Sequence, residues 1–169
     1  MLTKEYMKQV YIDTSVLEGW FIKLMKEEDP EDIRIIKFLR NHEEIKAFIS
    51  PFTVAEIIES LLSDNSRIRI RPHMRNYENI KAFTKMLLET TGLNVLKYET
   101  KDGKPGFFMS HRVADYTAIC KSVKDTIHVC IAEHENLCFV THDIKIPLLK
   151  SLYEKIITDT HLIKAFEKE

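Results

Sequence analysis

Apolar positions along the chain switch between short continuous runs and a helical repeat. Lys8 to Ile12 is a short apolar run that predicts a buried strand, and Val16, Leu17, Trp20, Phe21 and Leu24 then recur at helical spacing. The segment EDIRIIKFLRN repeats the helical period through Ile33, Ile36, Phe38 and Leu39. IKAFIS predicts a second strand, which Pro51 is expected to close, and TVAEIIESLL opens a third helix leading into SDNSRIRIRPHMRNYENI. A fourth helix carries Ile80, Phe83, Met86 and Leu87 as its apolar stripe, and Gly92 stops it. LNVLKYE predicts a strand, KDGKPG a turn, and VADYTAICKS and DTIHVCIAEH two helices. The strand LCFVT, a short helix from about Lys145 and a weak strand KIIT complete the predicted order.

Strands alternating with helices predict an α/β domain whose mostly parallel sheet is covered on both faces. Such sheets bind ligands beyond the carboxyl ends of their strands. A chain of 169 residues is expected to form a single domain, residues 1–169, with a real core. Its 25 Lys and Arg nearly cancel its 26 Asp and Glu, so any grip on nucleic acid must come from a local patch. Cys120, Cys130 and Cys138 lack metal-type spacing and read as buried small hydrophobes of a reducing compartment. No apolar run has membrane-spanning length, and MLTKEYMKQV lacks a signal-peptide core, so a cytoplasmic protein without membrane partners is expected.

Four acids stand at informative places. Asp13 ends the first strand in VYIDTSVLEGWF, Glu56 follows IKAFISP, Asp125 opens DTIHVCIAEH, and Asp143 follows LCFVTH. Each has a plain structural explanation. Asp13 and Asp143 stand where a strand hands over to a helix, an N-cap position that also favours negative charge. Thr53 with Glu56, and Ser122 with Asp125, have capping-box spacing. Because every strand-to-helix junction of a parallel sheet lies at one edge, caps would gather there without any site. Asp125 is the exception, since it follows a helix.

At these residues the chain resembles the PIN-domain family of metal-dependent ribonucleases. The likeness rests on IDTSVL after the first strand, SPFTVAEIIESLL around Glu56, KDTIHVCIAEH, and the strand and turn CFVTHD, in that order across nearly the whole chain. It implies a three-layer α/β/α sandwich with a central sheet of about five strands. It further implies that Asp13, Glu56, Asp125 and Asp143 ring one acidic pocket as catalytic metal ligands for Mg2+ or Mn2+. Physical chemistry is compatible with this: clustered carboxylates need a cation to stay ionised, and oxygen donors select such hard ions. The ion would activate water for in-line attack on a phosphodiester. By the same resemblance the Ser15 and Thr141 hydroxyls would orient carboxylates or waters, although helix capping and strand-end solvation explain them as well. His142, at a position where the family often has another polar residue, would contact substrate.

The stretch from Asn65 to Asn79 is more basic than the resemblance to compact toxin-type members leads one to expect. Arg67, Arg69, Arg71 and Arg75, with His73 and Tyr77 interleaved, could form a phosphate-tracking arm on RNA or a solvated loop. His128, one turn beyond Asp125, is either a ligand or a hydrogen-bonded core histidine, while His111, His134 and His161 read as surface. Trp20, Phe21 and Leu24 read as core. The expected activity is hydrolysis of RNA. Two rivals stand beside it: a PIN-like RNA-binding or assembly scaffold, and the nuclease toxin of a toxin–antitoxin pair held by an antitoxin peptide or protein. The family resemblance also implies a homo-oligomer, with a dimer favoured.

Overall fold

The computed structural model describes residues 3–18, 34–62, 77–96, 111–142 and 146–167. A 3-10 turn, Lys4–Lys8, leads into β1 (Gln9–Ile12), and helix α1 begins at residue 14 and is described to residue 18. Then come α2 (Arg34–Asn41), β2 (Lys46–Ile49), α3 (Pro51–Leu62), α4 (Tyr77–Thr91) and β3 (Asn94–Val95). The remaining elements are α5 (His111–Cys120), α6 (Val123–His134), β4 (Cys138–Val140), α7 (Ile146–Leu152), β5 (Ile156–Ile157) and α8 (Asp159–Phe166).

The five strands form one parallel sheet in the order β3-β2-β1-β4-β5. In the central strand Val10, Tyr11 and Ile12 are all fully buried, because β1 is flanked by strands on both edges and by helices on both faces. The pleat sends alternate side chains to opposite faces. Val10 and Ile12, with Ile49, Val140 and Ile157, pack in one layer against Leu17, Ile36, Ile57, Leu87, Leu162 and Ile163. Tyr11, Phe139 and Ile156 enter the other layer, where Val129, Cys130, Ile131 and Leu149 cover them. The result is a three-layer α/β/α fold, as the alternation of strands and helices predicts. Each fully buried aliphatic or aromatic side chain adds about 1.5–3 kcal/mol by leaving water.

Several boundaries differ from the sequence expectation for identifiable reasons. Pro51 does not merely close β2: it is the first residue of α3, where its missing N–H costs no helical bond. Ser50 caps that helix, accepting from Thr53 N at 3.0 Å while its own N–H donates to Thr53 Oγ1 at 3.3 Å. Thr53 is therefore the inner member of the cap, and Glu56 is left free of it. Lys8 belongs to the 3-10 turn and not to β1. Helix α8 is absent from the predicted order, although Thr158 caps it through His161 N at 3.0 Å and Leu162 and Ile163 repeat at helical spacing on its buried side. Gly92 ends α4 as expected, at φ +67°, a conformation that costs glycine little.

The three cysteines are buried and unpaired, and burial pushes the Cys130 thiol up to about 11 and the Cys138 thiol to about 12. They pack as small hydrophobes, as expected. Among the described residues no helix is long and apolar enough to cross a membrane. The chain runs outward from β1 through β2 to β3, then returns to the other side of β1 for β4 and β5. The order therefore reverses between β1 and β4, and the crevice beyond their carboxyl ends is where open parallel sheets bind ligands.

Candidate functional site

A cavity of about 560 Å3 opens at that crevice, lined by Asp13, Glu56 and Asp125 together with Thr14, Ser15, Glu18, Ser60, Ser122, Lys124, His128 and His142. Three elements supply three of the four predicted acids: Asp13 follows β1, Glu56 stands on α3, and Asp125 lies in the first turn of α6.

Asp13 is fixed by the sheet and by hydroxyls. Its backbone N–H donates to the Val140 carbonyl at 3.0 Å, extending the pairing of β1 with β4 by one residue. Its Oδ2 accepts from Ser15 Oγ and from Thr141 Oγ1, each at 2.6 Å. Ser15 Oγ in turn accepts from His142 N at 3.1 Å. The residue after β1 and the two residues after β4 are thus tied into one unit, with Thr141 fully buried beneath it.

Glu56 points across the cavity and not back along its helix. Its Oε2 accepts from Thr14 Oγ1 and from His128 Nε2, both at 2.6 Å, while Lys124 Nζ lies 3.8 Å from Oε1. His128 Nε2 also lies 3.5 Å from Asp13 Oδ1, so two carboxylates face a single imidazole nitrogen. Burial, the largest single influence, pushes the Glu56 carboxyl up. The His128 hydrogen bond and charge, the Thr14 hydroxyl and Lys124 act the other way and together hold it below its ordinary value of 4.5. A carboxylate with a depressed native pKa contributes stability that is present above 4.5 and is lost as pH falls through the lower native value. Glu56→Gln in EDTA is therefore expected to lie further below wild type in stability at about pH 6 than at about pH 3, measured by urea unfolding at both.

Asp125 has a mixed position. Ser122 caps α6 by accepting from the Asp125 backbone N–H at 3.4 Å, so the capping function uses the main chain of Asp125. Its side chain lines the cavity, and Cys120 Sγ lies 4.0 Å from its Oδ2. His142 lines the rim with its Nδ1 3.2 Å from Asp159 Oδ1 at the start of α8. Asp143 lies outside the described residues, as do Arg67, Arg69, Arg71 and Arg75 and the stripe Trp20, Phe21 and Leu24.

Sequence reasoning passed over Thr14, Glu18, Ser60 and Lys124. Thr14 and Glu18 sit within the segment that follows β1, and Lys124 directly precedes Asp125. None carries a spacing signal, because α1, α3 and α6 come together only through the sheet. His134 and His161 are exposed, as expected.

The cavity's acids form an all-oxygen donor set of the kind hard divalent cations take. Among the described residues, no group of three or more His, Cys, Asp or Glu side chains stands arranged as a ready ligand shell. The carboxylates are instead engaged by hydroxyls, by His128 and by Lys124, which a cation could replace in part. No family model matches the chain, and no curated protein matches it. Among solved structures, the chain is similar to the crystal structure of PAE2754 from Pyrobaculum aerophilum, with a TM-score of 0.53 and 17% identity, over 96% of this chain and 99% of that one. That likeness bears on the fold.

Proposed function

We propose that this protein is a Mg2+- or Mn2+-dependent ribonuclease of the PIN type, and the observation that supports this reading best is the convergence of Asp13, Glu56 and Asp125 on one cavity at the switch between β1 and β4. Helix capping explains an acid at a strand end, but it does not explain why Glu56 turns away from its own helix toward Thr14 and His128. In the proposal Asp13, Glu56 and Asp125 hold the cation, and Asp143 joins them. A divalent ion supplies charge neutralisation at a phosphodiester and a more acidic water.

The chain's own groups do the rest. Ser15 and Thr141 fix the Asp13 carboxylate and limit its rotation. Lys124 sits on the cavity wall with its charge shared between Glu59 at 2.5 Å and Glu56, close enough to the acids to meet a phosphate entering the cavity. His142, more exposed at the rim, is placed to contact substrate. The arginines between Arg67 and Arg75 supply phosphate contacts that carry affinity without reading sequence.

The test is digestion of a mixed RNA pool in Mn2+, Mg2+ or EDTA, comparing wild type with Asp13→Asn. Cleavage by wild type in Mn2+ or Mg2+, its loss in EDTA and its loss in Asp13→Asn are the expected results. RNA retained on the protein without cleavage in any condition would select the scaffold reading instead.

A further inference from the structure

The buried wall of the cavity contains a chain of hydrogen bonds that the acids alone do not require. His128 is 2% exposed, and Tyr11, Ser50 and Thr53 are fully buried. The Tyr11 hydroxyl lies 2.7 Å from Ser50 Oγ, 3.1 Å from Thr53 Oγ1 and 2.7 Å from His128 Nδ1. Three rings, those of Phe52, Tyr11 and Phe139, surround the imidazole at centroid distances of 5.0, 5.7 and 6.2 Å. The far nitrogen of the same imidazole reaches Glu56 Oε2 at 2.6 Å.

The direction of the chain follows from what each group can give. An ionised carboxylate only accepts, so Nε2 carries a proton toward Glu56. In the neutral imidazole Nδ1 is then left to accept from Tyr11. With the Tyr11 O–H directed to Nδ1, its oxygen is left to accept from the Ser50 or Thr53 hydroxyl, two groups that also lie 3.2 Å from each other. A core histidine needs its two nitrogens satisfied, and any two partners would do. Here one partner is a carboxylate on the cavity, and the other end is anchored in the cap of the helix that carries that carboxylate.

We infer that His128 is a positioning residue: its Nε2–H aims the Glu56 carboxylate across the cavity, and Tyr11 holds the imidazole in the tautomer that can do so. The inference rests on the nuclease reading for its consequence, since the group positioned is a proposed metal ligand. Partners that orient a ligand typically change metal affinity by about 10–100-fold when removed.

Two substitutions separate positioning from packing. Gln keeps an amide N–H near the place of Nε2, whereas Asn reaches only toward the place of Nδ1 and Tyr11. Mn2+ titration calorimetry on the full chain is expected to show His128→Asn weakened by about 10–100-fold, with His128→Gln recovering most of the loss. In EDTA, the carboxyl carbon signal of Glu56 in NMR should titrate at higher pH in His128→Asn than in wild type, and close to wild type in His128→Gln. Tyr11→Phe keeps the ring and removes the hydroxyl, so it stands in if His128→Asn does not fold, with a change in the same direction. Equal behaviour of the Asn and Gln variants in both measurements, or a Tyr11→Phe protein indistinguishable from wild type in both, would overturn the inference. A wild type that binds no Mn2+ would sink the nuclease reading alone, and the Glu56 titration would still decide the role of His128.

Discussion

Asp125→Asn is expected to lose RNA cleavage by about a hundred-fold or more, since even partners that merely orient a metal ligand are worth about 10–100-fold. The same protein should melt at a higher temperature than wild type in EDTA. Asp125 shares a cavity with Asp13, Glu18 and Glu56, and like charges brought together disfavour the folded state. Against this stands the start of α6, where a negative side chain gains about 0.3–1 kcal/mol from the helix dipole. Ser122 caps through the Asp125 backbone, so the substitution leaves the cap intact. Mn2+ at about a hundred times its dissociation constant should stabilise wild type by about 2.7 kcal/mol, and this shift should shrink in the variant. Thermal melts in EDTA and in Mn2+, paired with the cleavage assay, check all three parts. A lower melting temperature in EDTA would assign the Asp125 carboxylate to the helix start.

The second large effect concerns the sheet beneath the site. Phe139→Ala is expected to cost about 3–5 kcal/mol, a large part of the 5–15 kcal/mol by which domains are usually stable. Phe139 is 1% exposed on β4, its ring centroid 5.7 Å from that of Tyr11, and it stacks on His128 at 6.2 Å. Alanine leaves a hole between the sheet and the helices over it that the strand backbone cannot close, because hydrogen bonds to β1 and β5 hold it. Phe139→Leu should cost far less, since it fills most of the volume. Urea unfolding with an unchanged slope measures the loss as a shift of midpoint. A loss below about 1 kcal/mol would mean that this face of β4 carries little of the core.

How much of this was legible beforehand depends on the range of the interactions involved. Val10 to Ile12, Ala47 to Ile49 and Cys138 to Val140 are short apolar runs that end at Asp13, at Ser50 and Pro51, and at Thr141, and such runs announce strands locally. Helix α8 carries local signals too, in Thr158, Asp159 and the pair Leu162 and Ile163. Asp13, Glu56 and Asp125 could be picked out singly, and each admitted a capping role at its own position. For Glu56 the choice was not local: whether its carboxylate folds back to Thr53 or crosses to His128 depends on α6, 72 residues away in sequence.

The sequence by itself determined the alternation of strands and helices, hence a parallel sheet with two covered faces, and it placed polar and acidic residues at the strand ends. Those outcomes follow from short apolar runs and from repeats of three to four residues, which each segment carries within itself. Only the tertiary structure decided that the order reverses between β1 and β4, that Ser50 rather than Glu56 closes the cap with Thr53, and that Tyr11 reaches through the core to His128. Lys124 and Thr14 joined the site in the same way. Their roles come from distances between elements that the chain brings together only when the sheet is assembled, and no repeat or spacing in one segment encodes a contact with another.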